Sequence, residues 1–97
     1  MRILPDPVLF VWDKGNLDKN LDKHEVTNKE SEEIYQNKPL LVSEDKRHSK
    51  IEKRYQVLGK TDNDRLLFIS FTVRKDRIRI ISARDMSKKE RKVYEKI

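Results

Sequence analysis

The sequence predicts an α+β domain, a small antiparallel β-sheet with two N-terminal helices and one C-terminal helix. Two runs carry most of that expectation. Residues 66 to 73 form the most apolar stretch of the chain, and Arg77-Ile78-Arg79-Ile80 alternates cationic and β-branched side chains. That period of two marks a strand with one buried face. Only Arg74-Lys75-Asp76 separates the runs, which predicts a tight antiparallel hairpin. The third observation is a pair of capping boxes, Thr27-Asn28-Lys29-Glu30 and Ser87-Lys88-Lys89-Glu90, each of the form that opens a helix. With Lys75-Asp76 as a two-residue turn, Val73 pairs with Ile78, Thr72 with Arg79, Phe71 with Ile80 and Ser70 with Ile81. One face then collects Ile69, Phe71, Val73, Ile78 and Ile80; the other collects Ser70, Thr72, Arg77 and Arg79. A one-residue slip would mix the two sets. The helices are expected on the apolar face, leaving the cationic face open.

Taken in order, Val8-Leu9-Phe10-Val11-Trp12 reads as an opening strand after Pro5 and Pro7. Asp13 is a candidate N-cap for a helix from about Lys14 to about His24, on which Leu17 and Leu21 recur at i and i+4. Lys19 and Lys23 lie one turn apart on it. The second helix opens at Thr27, carries Ile34 and Tyr35, and ends at Asn37-Lys38-Pro39. Leu40-Leu41-Val42 is a short edge strand. Residues 43 to 50 have no apolar member and form a loop. A strand resumes over residues 51 to 59, and Thr61-Asp62-Asn63-Asp64 is a turn. A five-residue loop over 60–64 puts Tyr55 and Val57 over the core and Arg54 beside Ser70 on the cationic face; a four-residue loop reverses this. The first is preferred because it buries more apolar area, at about 25 cal/mol per Å2. The C-terminal helix carries Val93, Tyr94 and Ile97 on one stripe.

Ninety-seven residues allow one domain over the whole chain. With 41% of residues charged the chain is polar enough for disorder, but the apolar runs between 51 and 84 supply a small core. No apolar stretch is long enough to cross a bilayer and no signal-peptide pattern is present. Cysteine is absent, so neither a disulfide framework nor a thiolate metal site is available. These absences fit a cytoplasmic protein. The net charge of +6 is unevenly placed: residues 1–73 hold 13 basic and 13 acidic residues, residues 74–97 hold 10 and 4. Positive charge on one hairpin and the helix after it points to a polyanionic partner, with nucleic acid first among candidates.

Several segments resemble one family. Phe10-Val11-Trp12-Asp13, Asn20, Lys23-His24 and Val26 are similar to the N-terminal motif of the BrnT family of ribonuclease toxins. Asp45, His48-Ser49, Glu52 and Arg54 resemble its central D-x-x-H-S-x-x-E-x-R segment. Residues 77 to 84 resemble its R-I-R-I-I-S-A-R strand, and Glu90-Arg91 with Tyr94 its C-terminal helix. The chain departs from the family pattern at Val11, where Glu is usual, at Glu25 and near Ile51, where Gly is usual, and at Asn28, where an aromatic is usual. The resemblance implies a RelE-like fold and the toxin half of a type II toxin–antitoxin pair. It further implies a metal-independent endoribonuclease that stops translation, needs no cofactor, and is neutralised by a cognate BrnA-like ribbon-helix-helix antitoxin. The two proteins would form a hetero-oligomer, 2:2 in stoichiometry, which reaches DNA only through the antitoxin.

Metal-free RNA cleavage uses the neighbouring 2′-hydroxyl as nucleophile. It needs a group to take that proton, cations to hold charge gathering on the phosphate, and a proton for the leaving oxygen. Arg54, Arg77 and Arg79 suit the second task, because guanidinium groups bind phosphate oxygens bidentately and do not deprotonate. His48, in a polar loop ahead of Glu52 and Arg54, suits proton transfer, since an ordinary imidazole titrates near neutrality; as a bland alternative it is an idle loop histidine. His24 ends the first helix, where its role is capping the dipole. Glu52 is either a base or the orienting partner of Arg54. Arg84 falls on the core-face parity and either anchors the C-terminal helix or touches RNA. Tyr94 stacks on a base, donates a proton or, as its helical spacing favours, packs with Val93 and Ile97, and Trp12 reads as core. His48, Glu52, Arg54 and Arg79 are thus the candidate catalytic residues. Arg77, Arg84, Lys23 and Tyr94 are the candidate RNA contacts. Ser70 and Ser82 lack a neighbouring base, and the two histidines lack metal-ligand spacing. The competing reading is a non-enzymatic basic module that binds nucleic acid or an acidic protein.

Overall fold

A computed structural model describes residues 3–97. The chain runs through helix α1 (Lys19–His24), helix α2 (Asn28–Glu33) with a 3-10 turn (Ile34–Gln36), strand β1 (Leu41–Glu44) and a second 3-10 turn (Lys46–His48). Strands β2 (Tyr55–Lys60), β3 (Leu66–Arg74) and β4 (Arg77–Asp85) follow, and helix α3 (Lys88–Glu95) closes it. The four strands form one antiparallel sheet in the order β1-β2-β3-β4. Among the described residues no helix is long and apolar enough to cross a membrane.

The β3–β4 hairpin turns on Lys75 and Asp76, both with positive φ (49° and 62°), as a two-residue turn matched to strand twist requires. Val73 pairs with Ile78, Thr72 with Arg79 and Phe71 with Ile80, as expected. The next pair differs: Ser70 lies opposite Ser82, not Ile81. Ile81 is the extra residue of a β-bulge, and the bulge exchanges the faces of everything after it. Ala83 therefore enters the core, fully buried, while Arg84 moves to the opposite face across from Phe68. This corrects the core-side placement of Arg84.

The first face of the sheet carries Val57, Leu67, Ile69, Phe71, Ile78, Ile80 and Ala83, which pack against Val26, Ile34 and Tyr35. Tyr35 meets Phe10 and Phe71 edge-on, with ring centroids 5.3 and 5.7 Å apart. The loop from β2 to β3 has the expected five residues but spans 61–65, so Gln56 faces Ser70 and Arg54 comes level with Thr72. Parity survives the two-residue shift, and Tyr55 and Val57 stay on the core side. Strand β2 begins only at Tyr55; Ile51, expected within it, is fully exposed.

The second face is not wholly open. Helix α3 lies over one end of it, where Tyr94 and Met86 pack with Leu58, Leu66 and Phe68. The Tyr94 hydroxyl donates to the Pro39 carbonyl at 2.6 Å. Arg84 grips Glu90 through two hydrogen bonds (2.8 and 3.0 Å) and sits 4.2 Å above the Phe68 ring. Both capping boxes form in full, at Thr27 and at Ser87.

The outer edge of β4 explains the N-terminal third of the chain. The expected opening strand reduces to a single parallel bridge between Phe10 and Ile78, with Ile78 N–H donating to Leu9 and Val11 N–H to Ile78. The first helix starts at Lys19 rather than Lys14, because Asp18 adopts a left-handed conformation (φ 56°). The buried residues of this turn and helix are not the leucines. Leu17 and Leu21 are 50% and 43% exposed, whereas Asn16 and Asn20 are 2% and 3% exposed. An edge strand leaves backbone groups that need partners, and an asparagine offers both a donor and an acceptor. Asn16 Nδ2 donates to the carbonyls of Val11 and Ile80, and Asn20 Oδ1 accepts from Ala83 N–H. Arg65 then ties this layer down, donating to Asp85, Glu30 and the carbonyls of His24 and Glu25.

Candidate functional site

The end of the second face that α3 leaves uncovered is built from the 45–54 loop, the β3–β4 hairpin and the turn after Trp12. The loop is a closed frame. Asp45 N–H donates to the Arg54 carbonyl (2.8 Å), bringing its ends together. Ser49 Oγ donates to the Asp45 carbonyl (2.6 Å) and accepts from Arg54 N–H (3.0 Å). The buried Thr72 hydroxyl on β3 donates to the Lys53 carbonyl (2.7 Å), fixing the frame to the sheet. These bonds give the spacing from Asp45 to Arg54 a mechanical sense: Asp45 and Ser49 hold the loop so that His48, Glu52 and Arg54 are displayed.

His48 Nδ1 lies 2.9 Å from Asp45 Oδ2. Burial works to raise the Asp45 carboxyl, but hydrogen bonds from His48 and Gln56 outweigh it and hold the group below its ordinary value. An ionised carboxylate only accepts, so the proton of a neutral imidazole sits on Nδ1 and Nε2 keeps its lone pair. Glu52 does not pair with Arg54. It accepts from Arg74 Nε and Nη2 at 2.7 and 2.9 Å, and that hydrogen bonding, foremost, holds its carboxyl below the usual range. This corrects the expected Glu52–Arg54 partnership.

Arg79 donates to Asp13 Oδ2 at 2.8 Å, while Asp13 Oδ1 accepts from Gly15 N–H at 2.8 Å. The Arg79 hydrogen bond is the main cause holding the Asp13 carboxyl below its ordinary value. Asp13 is thus an anchor for Arg79 rather than the cap of a helix. Gly15 leaves room for this pair: a Cβ there would lie 2.6 Å from Arg79 Nη2, and the guanidinium would have to shift. The Arg54 guanidinium has no hydrogen-bond or ion-pair partner among the described residues.

These side chains meet around two adjoining depressions. One is lined by Arg47, His48, Lys50, Ile51, Glu52 and Arg54. The other includes Lys19, Glu52, Arg54, Thr72, Arg74 and Arg79. Glu52 and Arg54 belong to both, so all four candidate catalytic residues, His48, Glu52, Arg54 and Arg79, share one continuous surface. Arg77 lies beside it, with Arg74, Lys75 and Arg79. Three candidate RNA contacts are not brought there. Lys23 lines none of these depressions, although it is exposed on α1. Arg84 is held by Glu90 and Phe68, and Tyr94 is 6% exposed beneath α3. Burial also pushes the Tyr94 hydroxyl above its ordinary value.

Arg74 and the anchoring role of Asp13 escape a reading of the sequence. For Arg74 a signal exists, because it shares the parity of Ser70 and Thr72. For Asp13 none does, since its partner lies 66 positions away. Functionally, the surface offers fixed guanidinium groups beside one imidazole with a free nitrogen, a set that can hold a phosphate and exchange a proton next to it.

No curated protein matches the chain closely enough to add to this picture. Residues 12–90 match the family described as the ribonuclease toxin BrnT of type II toxin–antitoxin systems. That span runs from Trp12 to Glu90 and holds every element from the Asp13 anchor through the 45–54 loop to the arginine hairpin. The chain belongs to the BrnT family of ribonuclease toxins.

Proposed function

We propose that this protein is a metal-independent endoribonuclease that inhibits translation by cutting RNA on the arginine surface of its sheet. The observation that carries the reading is the pair of adjoining depressions that share Glu52 and Arg54, with His48 lining one and the anchored Arg79 lining the other. Arg54 and Arg79 bind the non-bridging oxygens of the scissile phosphate, and their charge offsets the charge that builds up in the transition state. His48 Nε2 accepts the proton of the adjacent 2′-hydroxyl as its oxygen attacks phosphorus. The bond from phosphorus to the 5′-oxygen breaks, that oxygen takes a proton from water, and the imidazolium returns its own to solvent. The products are a 2′,3′-cyclic phosphate and a 5′-hydroxyl. Glu52, with its carboxyl lowered and both oxygens on Arg74, serves as an orienting group rather than the base.

Type II membership implies an antitoxin, and here its place is over this same cationic surface. The partner is a ribbon-helix-helix protein in a 2:2 complex, and DNA contact runs through the antitoxin alone. The test is purified protein with bulk RNA in excess chelator, alongside growth arrest on expression. Fragments ending in 2′,3′-cyclic phosphate are expected, and Arg79→Ala is expected to relieve the arrest. Intact RNA, with Arg79→Ala as toxic as the parent, rules the reading out.

A further inference from the structure

The depression lined by Arg47, His48, Lys50, Ile51, Glu52 and Arg54 has features the cleavage chemistry does not use. We infer that it is a binding subsite for the nucleobase next to the scissile phosphate, with Ile51 as its apolar contact. This inference rests on the function proposed above and locates where the enzyme chooses its cut site. Ile51 is 103% exposed, the most exposed large apolar side chain described. Single exposed apolar residues are ordinary on protein surfaces, and three features set this one apart.

The first is the frame. The loop carrying Ile51 is closed by Asp45 onto Arg54, laced by Ser49, and tied to the sheet by Thr72 and by the Glu52–Arg74 ion pair. A side chain on such a frame is presented with its backbone already ordered, so contact with a ligand costs little further backbone entropy. The second is charge. Arg47 and Lys50 flank Ile51, and neither has an ion-pair partner among the described residues. A polyanion is drawn to this loop, whereas an apolar protein surface is not. The third is position. The depression, about 360 Å3, lies within the range of small-ligand sites. It shares Glu52 and Arg54 with the depression that holds Arg79. An RNA strand with its phosphate on Arg54 and Arg79 therefore has a neighbouring nucleotide at Ile51. Isoleucine is among the apolar side chains that contact and unstack bases, and an arginine plane stacks on them as well.

The test compares the parent, Ile51→Ser and Ile51→Leu on a defined RNA carrying each of the four nucleotides on either side of the cut. Cleavage ends are mapped, and KM and kcat are measured. Ile51→Ser should lose the parent's preference at one flanking position and raise KM about fivefold, on the order expected for withdrawing one or two buried methylenes from a base. Its kcat and thermal midpoint should stay at the parent's values, because the side chain is fully exposed. Ile51→Leu, which keeps the apolar contact, should keep both the map and the KM. If Ile51→Ser cuts the same sites with the parent's KM, the subsite is refuted while the nuclease reading stands. If the parent cuts no RNA at all, both fall.

Discussion

Replacing Asn16 by alanine should damage this fold more than replacing either exposed leucine of the same segment. Asn16 is 2% exposed and satisfies three backbone groups. Its amide donates to the carbonyls of Val11 (3.1 Å) and Ile80 (3.2 Å), and its Oδ1 accepts from Asp13 N–H (2.8 Å). The Ile80 carbonyl is buried and loses its partner outright, at about 1–3 kcal/mol; the part-buried groups recover water and lose about 0.5–1.5 kcal/mol each. The expected sum is about 2–6 kcal/mol, a large share of the roughly 5–15 kcal/mol that holds a domain together. For a chain of this size that lowers the thermal midpoint by on the order of 10–30 °C. Leu17→Ala, at a side chain half exposed, should cost no more than about 0.5 kcal/mol. Thermal and urea unfolding of both variants decide the matter. A midpoint for Asn16→Ala within about 3 °C of the parent, or a larger loss from Leu17→Ala, would refute the edge-capping explanation.

Other outcomes follow from the same geometry. Glu25 holds a left-handed backbone (φ 57°) at the end of α1, with Val26 and Glu25 N–H bonded back to Asn20 and Leu21. Glu25→Gly should therefore stabilise by about 0.5–1 kcal/mol after allowing for the extra unfolded-state entropy of glycine, a gain of a few degrees in thermal melting. The Glu90 carboxyl is held below its ordinary value of 4.5, chiefly by Arg84. Its stabilisation is complete above that value and lost as pH falls through the lower folded one. Unfolding measured from pH 6 down to pH 3 should show a shallower acid-side loss for Glu90→Gln than for the parent. Asp45→Asn removes the carboxylate that fixes the His48 tautomer, so kcat should fall about 10²–10⁴-fold with KM little changed. Steady-state kinetics check this, and an unaltered kcat counts against His48 as the base.

The hairpin was legible because two constraints agreed: a two-residue turn set the register, and the apolar and cationic residues separated cleanly in that register alone. Both capping boxes were legible for a similar reason, since each is a local pattern that closes within four residues. The bulge was not, because Ile81 continues an apolar run that a straight strand would accept equally well. That one residue decided the face of Arg84, and with it whether Arg84 met RNA or α3. The first helix misled through its leucines. Periodicity identifies which residues are apolar, but the edge of β4 needed hydrogen bonds, and Asn16 and Asn20 supply them. At the site, the grouping of His48, Glu52 and Arg54 was visible within one short segment. The pairing of Glu52 with Arg74 and of Arg79 with Asp13 was not, since those contacts span 22 and 66 positions.

Central to the account is a phosphate held by the Arg54 guanidinium beside Arg79. Single-turnover cleavage of a defined RNA in excess chelator, for the parent and Arg54→Ala, addresses it most directly. The prediction is cleavage by the parent and a rate about 10²-fold lower for Arg54→Ala, with the variant still folded. Equal rates for the two proteins, or RNA left whole by the parent, would contradict it.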